Sequence, residues 1–297
     1  MSIDFSKLKE SSSNLEKLTK AVEKLNSADS HSDKDNYWKP EVDKAGNGMA
    51  TLRFLPAPSV DGEEGLPWVK IYSHGFQGPG GWLIDNCLTT KGQQCPVCEH
   101  NNKLWNSGIE ANKDVVRKQK RKLNYIANVY IVNDPKHPEN NGTVKLFRFG
   151  AKIFEKITEA MNPQFEDETP INPFDLWNGA NFKLKITKVA GYQNYDKSEF
   201  ESPSALLDDD NKLEQIWKSE HSLAALVEDK EFKDYDTLKN RLEKVLGATE
   251  MPKTTVESIK SQNAGKKPVT EDAPWEPEPD ITTDDDSMDY FSRLADE

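Results

Sequence analysis

Met49-Ala50-Thr51-Leu52-Arg53-Phe54-Leu55, set between Gly46-Asn47-Gly48 and Pro56, is the stretch on which the fold turns. Apolar and β-branched residues bounded by turn formers read as a strand. Working outward, similar stretches at Trp68 to Tyr72, Gly81 to Ile84, Tyr125 to Val132, Val144 to Phe149 and Asn181 to Val189 are expected to be strands as well. Helices are expected at Lys152 to Met161, Leu213 to Leu226 and Tyr235 to Leu246, the last ended by Gly247. Several short strands with helical insertions predict an α+β protein built on a small β-barrel. No internal repeat is present.

The ends differ from this centre. Residues 1–36 read as an N-terminal arm, with Ser13 and Glu16 spaced as a capping box and Leu15, Leu18, Val22 and Leu25 on one helical face. Residues 37–247 form the expected core. From Ala248 apolar periodicity fades, and residues 248–297 read as a proline-containing linker and an acidic tail. The formal charge of the chain is −12, but residues 271–297 carry eleven acidic residues against Arg293 alone, a balance of −10 that leaves −2 for everything before them. A nearly neutral body can hold a basic groove, so the overall charge does not exclude a polyanionic partner. No apolar run reaches the roughly 18 residues of a membrane span and no secretory leader is recognisable at the start, so a cytoplasmic protein is expected.

All three cysteines, Cys87, Cys95 and Cys98, fall within a short stretch that also holds His74. Cys95-Pro96-Val97-Cys98 is a C-x-x-C knuckle, whose spacing lets two thiolates reach one tetrahedral ion. Cys87 and one histidine complete a Cys3His set for a single Zn2+, in a subdomain of about residues 68–105. His74 and His100 compete for the fourth place, with His74 favoured because a distant ligand lets the metal pin two chain segments together. Four protein ligands leave no open position for water, so the zinc is expected to be structural. A zinc deaminase would need H-x-E and P-C-x-x-C, but Phe76 follows His74-Gly75 and Gln94 precedes Cys95. No Walker motif, H-E-x-x-H or nucleophile elbow occurs either, so no enzyme is expected.

Lys113 to Lys122 carries six basic residues against one acidic, and Tyr125 follows. Cationic residues interleaved with aromatics suit single-stranded nucleic acid, where bases stack on rings while phosphates meet Lys and Arg. Phe147-Arg148-Phe149, and Tyr192 and Tyr195 after Lys183, Lys185 and Lys188, repeat the pairing. On a strand, Phe147 and Phe149 share one face and Arg148 takes the other.

The chain resembles the single-stranded DNA-binding proteins of T-even-type bacteriophages. The resemblance is carried by Asn47-Gly48 with Arg53-Phe54-Leu55-Pro56, His74-Gly75-Phe76, the Cys95–Cys98 knuckle, Lys120-Arg121-Lys122, Tyr125 with Ala127-Asn128, Pro138-Glu139-Asn140, Arg148-Phe149-Gly150 and Gly179-Ala180-Asn181-Phe182, in that order. It implies an OB-fold core with an embedded zinc subdomain and the ligand set His74, Cys87, Cys95 and Cys98. It also implies a DNA cleft at or near Arg53, Trp105, Lys120, Arg121, Lys122, Tyr125, Phe147, Arg148, Tyr192 and Tyr195. The implied function is cooperative coating and protection of single-stranded DNA in phage replication, recombination and repair, in the cytoplasm of an infected bacterium. Its partners would be single-stranded DNA, further copies of itself contacted through the arm, and replication and recombination proteins recruited by the acidic tail. The competing expectation is a zinc-ribbon accessory factor of transcription or replication. Two features depart from the family pattern: where the family's N-terminal arm has a contiguous basic run followed by Ser or Thr, only Lys7-Leu8-Lys9 precedes Ser11-Ser12-Ser13 and Lys120-Arg121-Lys122 is followed by Leu123-Asn124, and the Cys87–Cys95 spacing is short.

Overall fold

The computed structural model describes residues 36–247 apart from 63, 64 and 166. The expected arm helix and the linker with its acidic tail lie outside the described residues. Within them the strands are β1 (Tyr37–Trp38), β2 (Gly48–Phe54), β3 (Val69–Gly78), β4 (Gly81–Asn86), β5 (Lys122–Asn133), β6 (Val144–Phe149), β7 (Phe182–Val189), β8 (Tyr192–Asn194) and β9 (Glu199–Phe200). The α-helices are α1 (Pro96–Trp105), α2 (Glu110–Gln119), α3 (Ala151–Met161), α4 (Asp210–Lys218) and α5 (Tyr235–Val245).

The centre of the sheet is β5. One of its edges pairs with β6 over Tyr125–Tyr130. The other edge is divided: β3 takes Lys122–Ile126 and β2 takes Val129–Asn133. The sheet therefore forks beside β5. One branch runs β2–β7–β8, with β9 also on β7, and the other is the β3–β4 hairpin. The expected barrel is corrected here: among the described residues the path β1-β6-β5-β2-β7-β8 stays open, because β5 gives part of an edge to the hairpin instead of closing a ring.

Both faces of β5 are covered, so its middle reads as a continuous buried run rather than an alternation. Tyr125, Ala127, Val129 and Ile131 join Phe54, Phe147, Phe149, Phe182 and α3 residues Ile153 and Ile157 in the main core. On the opposite face Ile126 packs with Ile71, Leu146 and Leu223. A side chain of this size contributes about 1.5–3 kcal/mol when fully buried, so the central strand anchors both layers.

The helix expected over Leu213 to Leu226 stops at Lys218. Tertiary hydrogen bonds outcompete its continuation. Asn128 on β5 grips both backbone groups of His221, and the Asp61 carboxylate accepts from the Leu223 and Ala224 amides and the Ser222 hydroxyl. A separate short turn, Ala224–Val227, follows.

The β3–β4 hairpin and the segment after it have their own small core of Phe76, Leu83, Cys87, Leu88, Cys95 and Val97, closed on the outside by Leu238, Leu242 and Val245 of α5. The end of α5 lies against the β3–β4 turn, where Gly80 N–H donates to the Val245 carbonyl at 2.8 Å. A Cβ on Gly80 would sit 1.9 Å from the Lys244 carbonyl oxygen, so this contact admits only glycine. Asp85 on β4 adds ion pairs to Lys233 and Arg241.

Candidate functional site

Four side chains from separate elements converge beside the fork. His74 comes from β3, Cys87 follows β4, Cys95 caps α1 and Cys98 lies in the first turn of α1. Pro96 at the head of α1 suits the first helical position, where its missing N–H is no loss. The ligand atoms all lie within 4.8 Å of one another and could hold a metal ion. Cys87 and Cys98 sulfurs are 3.5 Å apart, and His74 Nε2 is 3.5 Å from Cys95 Sγ and 3.7 Å from Cys98 Sγ. Donors around a tetrahedral ion at ordinary thiolate and imidazole bond lengths stand about 3.5–3.8 Å apart, so the residues fit. His74 Nδ1 faces the Gln119 carbonyl at 3.4 Å, which turns Nε2 toward the sulfurs. His100 lies outside the cluster.

The protonation of these groups points the same way. Burial alone would lower the His74 pKa, but its contacts with Cys87 and Cys95 outweigh that and raise it to about 9. Hydrogen bonds among the thiols hold Cys95 far below its ordinary range and push Cys98 far above it. The four donors thus compete for protons in one buried space, and a cation there would release that competition by taking the thiols as thiolates and the imidazole neutral.

Next to the cluster, the β3–β5 register places cations and rings on one face. Lys70 lies opposite Tyr125 and Tyr72 opposite Leu123. The exposed Arg121 guanidinium covers the Tyr72 ring at 4.3 Å, with Lys70 Nζ at 5.2 Å from the same ring. Around the corner a 480 Å3 cleft opens between α2 and the hairpin, lined by Phe76, Trp82, Val115, Lys118 and Lys122 among others. Lys120 is the residue that ends α2 between these two surfaces. Tyr72, Lys70 and Trp82 were not singled out from sequence. A lone aromatic in a strand reads as core, and only the pairing of β3 with β5 reveals its cationic neighbours.

The other sequence candidates scatter. Trp105 is 39% exposed at the end of α1, with Lys113 and Arg117 over its ring at 5.7 and 5.9 Å. Arg53 lies inside the protein, fully buried, with Nε on Asn181 and its two terminal nitrogens on the Asp175 and Ser204 carbonyls. It organises the loop before β7 and has no surface to offer a ligand. Tyr125 is 8% exposed and stacks on Phe154 of α3 at 3.9 Å, so its ring face is already taken. Phe147 sits in the main core with Phe149, while Arg148 faces the other side over Tyr37 at 5.5 Å. Tyr192 is exposed on β8, separated from β5 by β2 and β7, whereas Tyr195 donates to Gln193 and packs partly buried against the main core.

Comparison with known proteins gives a consistent picture. A family model described as gp32 DNA binding protein like matches residues 46–246. The single-stranded DNA-binding protein of Enterobacteria phage T4 is 36% identical over 242 residues, 79% of this chain and 78% of that protein. The protein of the same name from Enterobacteria phage T2 is 37% identical over 221 residues, 72% of this chain and 71% of that protein. A shorter match, 42% over 74 residues, joins 24% of this chain to 63% of the single-stranded DNA-binding protein of Escherichia phage SV14.

Proposed function

The chain belongs to the family of gp32-like DNA-binding proteins, a binding family rather than an enzyme family, and on that footing we propose that it coats and protects single-stranded DNA. The observation that carries this reading is the cationic and aromatic face built from Lys70, Tyr72 and Arg121, next to the cleft that holds Trp82, Lys118 and Lys122. A single strand offers phosphates to the cations and unstacked bases to the rings, each stack being worth about 1–3 kcal/mol; a duplex hides its base faces. Preference for single strands then destabilises duplex by mass action, with no chemical step.

In this reading His74, Cys87, Cys95 and Cys98 hold one structural zinc, which fixes the hairpin and α1 beside β5. Lys120, Arg121 and Lys122 belong to the DNA face, with Trp105 at its margin. Arg53, Tyr125 and Phe147 are buried and hold the sheet rather than touch the DNA strand. The core is taken to be of the OB type, on the strength of the family match and the division of β5 among three partner strands. Residues 1–36 make the contact between neighbouring copies on DNA. The acidic tail, with Trp275, Tyr290 and Phe291, recruits replication, recombination and repair proteins in the cytoplasm of the infected host.

A competition binding experiment tests the central claim. Labelled oligo(dT) bound to the full chain is challenged with unlabelled single-stranded or duplex DNA of equal length, with zinc quantified on the same sample. Displacement by single strands of unrelated sequence, with little effect of duplex, is expected. Equal displacement by both would sink the proposal.

A further inference from the structure

The turn that follows Cys87, Leu88–Lys91, touches the metal cluster on one side and the Tyr72–Arg121 pair on the other. Thr89 makes both contacts. Its hydroxyl oxygen is 3.1 Å from Cys87 Sγ and accepts a hydrogen bond from Arg121 Nη1 at 2.7 Å. Its neighbour Thr90 fixes the partner ring. The Thr90 hydroxyl accepts from the Tyr72 amide at 2.9 Å and donates to the Tyr72 carbonyl at 3.3 Å, and the Cys87 amide donates to the same carbonyl at 2.8 Å. One short turn therefore indexes both the guanidinium and the ring it covers to a ligand cysteine.

The two contacts fix the direction of the Thr89 hydroxyl when the cluster holds a metal. A metal-bound cysteine is a thiolate and can only accept, so Thr89 must donate to it and keeps its lone pairs for Arg121. A hydroxyl held between a thiolate and a guanidinium is polarised in one sense along the whole chain. Partners behind a ligand commonly act in this way, orienting it and being oriented by it.

We propose that Thr89 is a positioning residue that links the ligand Cys87 to Arg121, and so sets where the guanidinium rests on Tyr72 and how tightly a single strand is held. The inference rests on the DNA-binding reading of the Arg121 face. It adds a route by which the structural metal reaches that face without touching the DNA.

The test uses the full chain loaded with metal. Thr89→Val removes the hydroxyl and keeps the shape; Thr89→Ser restores the hydroxyl. Thr89→Val is expected to weaken oligo(dT) binding roughly 3- to 10-fold, the scale of a modest coupling between contacting residues. Thr89→Ser should bind within about twofold of the parent, and in an Arg121→Ala background Thr89→Val should cause no further loss. A second readout does not involve DNA. In the cobalt-substituted protein, Thr89→Val should shift the sulfur-to-metal charge-transfer band because the Cys87 thiolate loses a donor. Arg121→Ala should move the same band by releasing Thr89, and it leaves the hydroxyl in place should Thr89→Val fail to fold. Unchanged DNA binding in Thr89→Val, an equal loss in the Arg121→Ala background, or a band that Arg121→Ala leaves in place would each overturn the proposal. Failure of the parent protein to prefer single strands would instead overturn the DNA-binding reading, a separate result.

Discussion

The two halves of the basic run Lys113 to Lys122 look alike in sequence and behave differently in the fold. In the first half, Lys113 and Arg117 lie on α2 and are neutralised along that helix. Lys113 pairs with Glu110 at 3.2 Å, and Arg117 pairs with Glu110 and Asp114. Those contacts hold the Glu110 carboxyl below its ordinary pKa and the Arg117 guanidinium above its own. The second half runs off the end of the helix, with Lys118 in its last turn. Lys118 and Lys122 line the Trp82 cleft, and Arg121 lies on Tyr72. Basic composition alone therefore does not place cations beside rings; they meet only where the chain turns from α2 into β5, and the proposed phosphate track would begin there.

The largest effect that could break this contrast comes from removing what holds the turn in place. Stripping the metal with a chelator, or replacing Cys95 with serine, should free the hairpin and α1, lower the unfolding midpoint by roughly 10 °C and cost most of the single-strand affinity. Calorimetry and binding on the same sample would check this, and an unaltered midpoint would show that the apolar contacts of α5 suffice without an ion.

A smaller effect separates the halves directly. Each phosphate neutralised on a single strand contributes about −0.7 to the slope of log affinity against log salt. Replacing Lys118, Arg121 and Lys122 with alanine should flatten that slope by roughly 2, whereas replacing Lys113 and Arg117 should leave it nearly unchanged. Equal flattening in both variants would show that the ion pairs on α2 open when DNA arrives.

The smallest effect concerns the frame behind β5. Glu220 is 4% exposed, and neither of its carboxylate oxygens has a hydrogen-bond partner. Burial, and then the charge of Asp61, raise its pKa from 4.5 to about 9. Between those values the folded protein keeps a proton that the unfolded chain releases, so stability falls as pH rises through that window. Glu220→Gln should reduce this decline in thermal melts taken from pH 5 to pH 9. Parallel curves for the two proteins would place the slope in other groups.

How much of this was legible in the sequence depends on how local the signal is. β2, β6 and α5 follow from short-range pattern and turn residues, and their boundaries agree with expectation to within a residue. The ligand cluster was legible for a chemical reason, since few arrangements other than a metal account for three cysteines and a histidine at knuckle spacing. α1 was not legible as a helix, because a C-x-x-C knuckle reads as chemistry before it reads as periodicity. Arg53 could not be placed. Its neighbours Leu52 and Phe54 mark a strand with one apolar face, and nothing local shows that a loop more than a hundred residues later covers the other. Tyr72, Trp82 and Thr89 were invisible for the same reason: Tyr72 acquires its neighbours through β3–β5 pairing, Trp82 through the packing of α2 against the hairpin, and Thr89 through the folding back of the turn after Cys87.

The glycine contact between the β3–β4 turn and the end of α5 also bears on the order in which the protein can be made. The hairpin and its four ligands are complete once residue 98 has been synthesised, yet the wall over their apolar side is supplied by Leu238, Leu242 and Val245. During translation the ligands leave the ribosome well before their cover. A chain that captures its ion early carries a closed metal site with an uncovered apolar flank until α5 arrives, and closing so long a loop is slow. Nascent chains stalled before residue 235 should therefore need a chaperone on that flank more than on the sheet.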